Sequence, residues 1–128
     1  SVARLNIAIS LKADYSDAYA NRGRAKRKLN DFSGAINDYT TAIELNPNEK
    51  DSYLGRGIAL KEVEDYDGAI KDMDRAAKID PSYAKTYTLR GEVKYLSGDV
   101  LGACDDLLQA QKLGYMVAMA SFSDYCDD

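Results

Sequence analysis

One apolar stripe recurs three times along the chain at helical steps. Ala35, Tyr39 and Ala42 lie four and then three residues apart, as do Ala69, Met73 and Ala76, and Ala103, Leu107 and Ala110. Such spacing puts each trio on one face of a helix, with a large side chain between two small ones. Ahead of each trio stands a second pattern, Tyr19 with Gly23, Tyr53 with Gly57 and Tyr87 with Gly91. Residues four apart again share nearly one face. A glycine inside a helix costs propensity, which close approach of a neighbouring backbone would justify. The pattern predicts helices in pairs.

The pairs repeat with a fixed step. "NDFSGAINDYTTAIELNPN" from Asn30, "EDYDGAIKDMDRAAKIDPS" from Glu64 and "GDVLGACDDLLQAQKLGYM" from Gly98 align without gaps, 34 residues apart. Arg22, Arg56 and Arg90 keep the same phase, and so do the two prolines, Pro47 and Pro81. Asp31, Asp65 and Asp99 stand between the helices of a pair, where a carboxylate accepts from free N–H groups at a helix start. Asp14, Asn48 and Ser82, also in phase, are expected to open the first helix of each pair, and the prolines to stop the helix before it. One pair cannot bury its apolar face alone, whereas stacked pairs bury it together as a solenoid.

A 34-residue helix–turn–helix with Tyr–x3–Gly in its first helix, Ala–x3–Tyr–x2–Ala in its second and a closing Pro resembles the tetratricopeptide repeat. Tyr19, Gly23, Ala35, Tyr39, Ala42 and Pro47 carry the match in the first unit. Tyr53, Gly57, Ala69, Met73, Ala76 and Pro81 carry it in the second, and Tyr87, Gly91, Ala103, Leu107 and Ala110 in the third. Unit three departs at Gly114-Tyr115, where Pro is expected. The resemblance implies an all-α fold, a right-handed α-solenoid of antiparallel helix pairs. The expected division is a second helix of an incomplete repeat over 1–13, repeats over 14–47, 48–81 and 82–115, and a capping helix with an acidic tail over 116–128.

The ends extend this reading. Leu5 and Ala8 precede Tyr39 and Ala42 by one repeat length, so 1–12 is read as a second helix without its partner. We therefore expect the chain to be a piece of a longer protein, with an apolar N-terminal face open to self-association. "MVAMASFSDYC" over 116–126 is apolar enough to cover the other end of the stack, as solenoids require.

Composition narrows the chemistry. The 128 residues contain no His and no Trp, which removes the commonest general base and zinc ligand. Cys104 and Cys126 are too few for a disulfide framework or a four-Cys metal site. They are either free thiols or one bridge, and Cys104 on its helix reads as a small buried apolar residue. Reduced thiols and no visible signal peptide favour the cytoplasm, with a secreted or periplasmic parent left open. The longest notable uncharged run, Leu113 to Ser123, is too short for a membrane span, which needs about 20 residues. Neighbouring carboxylates such as Asp105-Asp106 do not face each other on a helix, and Asp38, Asp72 and Asp106 are repeat features. No phosphate loop or activated Ser or Cys is present. No catalytic residue, cofactor or metal is expected.

Net charge is −4, mildly acidic, yet five of the seven residues from Arg22 to Lys28 are basic. On a helical wheel they spread around the helix. Arg22 and Lys26 fall beside Tyr19, with stems along the packed interface. Arg24, Arg27 and Lys28 point elsewhere.

In tetratricopeptide arrays the first helices line a concave side that usually holds a peptide or protein. By phase this resemblance assigns Asp17, Ala20, Asn21, Arg24, Arg27 and Lys28 in unit one. Unit two offers Asp51, Leu54, Gly55, Ile58, Lys61 and Glu62, and unit three Lys85, Thr88, Leu89, Glu92, Tyr95 and Leu96. The expected groove is basic at one end, apolar in the middle and mixed at the other. It would take an acidic segment or a C-terminal carboxylate, since Arg grips carboxylates with a bidentate fork. The plainer reading leaves Arg24, Arg27 and Lys28 as a solvated face. Some members clamp the C-terminal carboxylates of heat-shock chaperones with Lys and Asn from three units. Here Asn21 matches one position, but Ala20, Arg24, Asp51, Gly55 and Leu89 stand at others, so that partner is not expected.

The expected function is a noncatalytic protein-interaction scaffold. The alternative is a regulatory or targeting domain of an enzyme whose catalytic part lies elsewhere in a longer chain. RNA binding by a pentatricopeptide-like array is disfavoured by the helix pattern and the acidic balance, and no nucleic-acid partner is expected.

Overall fold

A computed structural model describes residues 2–4, 6, 16–114 and 126. Residues 2–4 and 6 are helical. Six helices follow: α1 (Ser16–Lys28), α2 (Phe32–Leu45), α3 (Lys50–Glu62), α4 (Tyr66–Ile79), α5 (Ala84–Leu96) and α6 (Val100–Lys112). No strand occurs among the described residues. Each helix packs against the next along the chain, and α1, α3 and α5 also touch one another in turn. The result is the expected α-solenoid, with α1, α3 and α5 as its inner layer. The remaining residues of 1–15, with Asp14, and most of the expected capping helix and acidic tail lie outside the described residues.

The small–large–small stripe is the core. Ala35, Tyr39 and Ala42, Ala69, Met73 and Ala76, and Ala103, Leu107 and Ala110 are all buried. Gly23, Gly57 and Gly91 sit where a Cβ would lie 3.2–3.3 Å from the carbonyl oxygens of Ala35, Ala69 and Ala103. That is the close backbone approach the Tyr–x3–Gly spacing suggested.

Asp31, Asp65 and Asp99 cap the second helices, accepting from the N–H groups of Gly34, Gly68 and Gly102. The first helices end differently. Asn30, Glu64 and Gly98 take positive φ, at 64°, 65° and 96°. The N–H of the following Asp then reaches back to Lys26, Leu60 and Lys94, at 2.8–2.9 Å, which closes a Schellman turn.

Two expectations are corrected. Asn48 and Ser82 do not cap the first helices, which begin at Lys50 and Ala84 after Glu49 and Tyr83, with no side-chain cap. Instead Asn46 and Asp80, just ahead of the prolines, accept from the N–H groups of Asn48 and Ser82. The tyrosines then tie the turns down: the Tyr53 and Tyr87 hydroxyls donate to the carbonyls of Pro47 and Pro81 at 2.9 and 2.8 Å. Cys104, read as a small buried residue, is half-buried and bonded to Cys126. The two Cα atoms are 5.5 Å apart, so the bridge fits without backbone distortion. This pairing removes free thiols as a reason to favour the cytoplasm.

Candidate groove on the inner helices

The basic residues of α1 divide into two sets. Arg22 forks onto the buried Asp38 of α2, with Nε to Oδ2 at 2.7 Å and Nη2 to Oδ1 at 2.6 Å. Lys26 Nζ joins the same carboxylate at 3.1 Å. Their stems run along the interface as expected, and their charges are spent there. Arg56 with Asp72 and Arg90 with Asp106 repeat the fork. Hydrogen bonding to the carboxylate, helped by its charge, raises the pKa of each arginine above its ordinary value against the opposing effect of burial.

Arg24 and Arg27 form the second set. Neither makes an ion pair with any described carboxylate, and the Nε of Arg27 is buried with no hydrogen-bond partner. Among the described residues Arg24 donates only to Asn21, at 3.1 Å. Both line a cavity of about 210 Å³ on the inner layer, with Lys85 at the start of α5. Leu54, Gly55, Ile58 and Leu89 give this cavity an apolar floor, and Tyr39 and Tyr83 complete its walls. The ammonium of Lys50 sits 4.9 Å from the centre of the Tyr83 ring and 3.5 Å from Asp80, which holds that corner in place.

A second cavity of about 280 Å³ adjoins it and shares Arg24, Tyr39 and Asp51. Asp17, Ala20, Asn21, Glu49 and Ser52 are its other walls. Asp17 and Glu49 therefore stand on one side of Arg24, Asp51 at the junction, and cations with apolar groups on the other. The sequence had suggested a basic end, an apolar middle and a mixed end. The observed polarity instead follows the junctions between units, because Glu49 enters from a turn and Lys85 faces back toward α3.

The groove residues named from the sequence take different places. Asp17, Asn21, Arg24, Arg27, Asp51, Leu54, Ile58, Lys85 and Leu89 meet around the two cavities. Leu54 is floor, only 5% exposed, and belongs to the core cluster as well. Lys28, Lys61, Thr88, Glu92 and Tyr95 line neither cavity. Lys61 and Glu92 pair across α3 and α5 at 2.8 Å, and Thr88 is half-buried with its hydroxyl on Ala84. Lys28 and Tyr95 are exposed.

Tyr39, Glu49, Ser52 and Tyr83 escaped the sequence reading. Three precede or open a first helix, and Tyr39 comes from a second helix. Its signal was present all the same: Gly55 replaces the Asn21 and Leu89 of the other units, and the Tyr39 ring occupies the space that a side chain there would fill.

Among the described residues no group of His, Cys, Asp or Glu is arranged to hold a metal, and no helix is long and apolar enough to cross a membrane.

Comparison with known proteins agrees with this architecture. A family model described as tetratricopeptide repeat matches residues 20–84. The first TPR of Spaghetti (RPAP3), bound to the HSP90 peptide SRMEEVD, is similar in structure, with a TM-score of 0.82 and 20% identity over 86% of this chain and 89% of that one. The Arabidopsis OM64 TPR domain is similar with a TM-score of 0.78 and 27% identity, over 85% of this chain and 94% of that one. The comparison with curated proteins finds no match.

Proposed function

The chain belongs to the tetratricopeptide repeat family, whose domains are protein-interaction modules, and we propose that it is a noncatalytic one that holds an acidic segment of another protein in the groove of α1, α3 and α5. One observation carries this reading: Arg24, Arg27 and Lys85 converge on a single cavity and none is in ion-pair contact with a described carboxylate, Asp51 of the same lining included, while Arg22, Arg56 and Arg90 are each fully matched. The convergence of the first three on one cavity suits an anionic ligand, and Arg supplies the bidentate geometry that a carboxylate takes.

The apolar floor sets the second requirement. Ile58 and Leu89 are half-buried beside the cations, so an apolar side chain next to the acidic one covers them. The chaperone peptide is a property of the RPAP3 domain. In this chain Ala20, Gly55 and Leu89 stand where a Lys and Asn clamp would need polar donors, so a different acidic segment is favoured.

The test is a positional library of end-blocked hexapeptides, read by fluorescence anisotropy. Acidic residues adjoining Leu, Ile or Phe should be enriched. The Arg24→Glu/Arg27→Glu variant should weaken the selected peptide at least about tenfold, since two charge-assisted contacts become repulsive. Unchanged affinity removes the basic wall from the site.

A further inference from the structure

The large residue of the apolar stripe is Tyr39 in unit one but Met73 and Leu107 in units two and three. Core packing alone is met by an apolar side chain at this position, as those two show. Tyr39 is only 3% exposed, yet it lines both cavities of the groove. It does so by leaving the stripe through a notch. Gly55 on α3 has no side chain, and the ring and hydroxyl of Tyr39 fill the place where a Cβ would stand. The opposite edge of the ring, at Cδ2, lies over Gly23, 3.2 Å from where its Cβ would be.

The hydroxyl at the tip has no hydrogen-bond partner among the described residues. The contrast with its neighbours is direct. Tyr53 and Tyr87 donate to proline carbonyls, as a buried phenol normally must. The Tyr39 hydroxyl is not among the sealed polar atoms left without a partner, so its tip opens into the groove, where a ligand can replace water as its acceptor. Arg24 and Asp51 are the other residues common to both cavities, so the hydroxyl lies where the cationic and acidic halves meet.

We propose that Tyr39 sets the register of the bound segment: its hydroxyl donates to the side-chain carboxylate of an internal Asp or Glu that Arg24 neutralises. This deepens the groove reading above and rests on it. An internal side chain fits because the groove continues on both sides of Tyr39. Toward Ile58 and Leu89 the segment carries its apolar residue. Toward Asp17 and Glu49 it carries a neutral or basic one, because a second acidic residue there meets like charge. The segment is therefore of mixed charge, not uniformly acidic.

The experiment is a cycle between protein and peptide, using the sequence selected from the end-blocked library. Tyr39→Phe keeps the ring in its notch, so the unfolding midpoint should hold, while affinity should fall about three- to tenfold. Replacing the register-setting Glu of the peptide by Gln should cost wild type about tenfold and the Phe variant clearly less, because they lose the same bond. Tyr39→Met, the residue of unit two, is the second variant and should behave as Phe does. Moving a second Glu to the other side of the first should weaken binding, and a Lys there should strengthen it.

Equal binding by Tyr39→Phe, or the same Gln penalty in both proteins, means the hydroxyl meets water only and overturns the proposal. If that occurs while Arg24→Glu/Arg27→Glu still weakens binding, the groove reading stands and this one falls. A library without acidic enrichment overturns both.

Discussion

Arg56 and Asp72 meet in a bidentate fork, Nε to Oδ2 at 2.8 Å and Nη2 to Oδ1 at 2.7 Å. The remaining nitrogen, Nη1, reaches Thr40 of the preceding unit at 3.2 Å. Arg90 does the same with Asp106 and Asp74, and Arg22 with Asp38 and Asn6. Each arginine thus joins the two helices of its own pair and adds a contact to the helical segment before it. Repeat order is reinforced by directional bonds as well as by the alanine-lined seam.

Removing one member of such a fork leaves the other charge inside the packed interface. A fully buried pair broken this way costs about 3–5 kcal/mol. The Arg56 side chain keeps 23% of its exposure, so a loss of about 2–3 kcal/mol is expected for Asp72→Ala after solvent screening. The double change Arg56→Met/Asp72→Leu removes both charges and should recover most of that loss. Urea unfolding of the three proteins measures it. A single variant within about 0.5 kcal/mol of wild type would show the fork to be incidental.

The Arg–Asp pairing was legible in principle, since both residue types keep the repeat phase and stand 16 apart. Periodicity reports which face of a helix a residue occupies, but not which atom lies opposite once two helices turn back on each other. For that reason Arg22 was placed correctly along the interface without its partner being named. The core stripe needed no such knowledge, because Ala35, Met73 and Leu107 follow from helix period alone. Turn chemistry was readable only to within a residue or two: proline marked the stop, but the capping role fell to Asn46 and Asp80 in place of Asn48 and Ser82. Tyr39 was hidden for another reason. A residue on the core stripe is expected to end in the core, and only the missing side chain at Gly55 tells that its tip comes out on the other side.

The left-handed position after each first helix offers a stabilising change. Asn30, Glu64 and Gly98 are equivalent, with φ near 64°, 65° and 96°. A residue with a Cβ pays about 1–2 kcal/mol there, and Asn pays less than Glu. Glu64→Gly relieves the strain and loses part of the gain to the freer unfolded chain. A net stabilisation of about 0.5–1 kcal/mol is expected, read as a rise in the thermal midpoint. Gly98→Glu should shift it the opposite way.

The Cys104–Cys126 bridge spans 22 residues. A loop of this length removes entropy from the unfolded chain worth about 3 kcal/mol in the chain-entropy account. Cys104→Ser and chemical reduction of the wild type should therefore lower stability by similar amounts, and reductant should leave the variant unchanged. Equal midpoints for oxidised and reduced wild type would show that the closed loop adds no constraint.

Asp80 gives a small, signed dependence on pH. The Ser82 hydroxyl donates to its carboxylate at 2.8 Å, the Ser82 N–H adds a second bond, and Lys50 a third interaction, so its pKa is held below the usual carboxylate range. A depressed folded-state pKa stabilises the fold above the unfolded pKa and is lost as pH falls through the folded one. Ser82→Ala should raise the Asp80 titration midpoint, seen by carboxyl chemical shifts. Asp80→Asn, which copies Asn46 of the previous turn, should keep the turn and remove this contribution to acid sensitivity. A midpoint unmoved by Ser82→Ala would assign the shift to Lys50.

Gly55→Ala inverts a familiar expectation. In an exposed helix this change gains about 1 kcal/mol from helix propensity. On α3 the new methyl would overlap the ring and hydroxyl of Tyr39, whose opposite edge packs over Gly23 of α1, 3.2 Å from where a Cβ there would stand, so the ring has little room to retreat. Overpacking of this kind costs about 1–3 kcal/mol. The propensity gain is therefore cancelled or exceeded, with a net loss of up to about 2 kcal/mol. Tyr39→Leu, as in unit three, withdraws the ring from the notch at the cost of a smaller core side chain. Combined with it, Gly55→Ala should turn from destabilising to neutral or stabilising. That change of sign in a double-mutant cycle measures the contact between the two residues directly. Additive effects would mean that the ring and the notch are not coupled. The groove floor would then owe its shape to α3 alone.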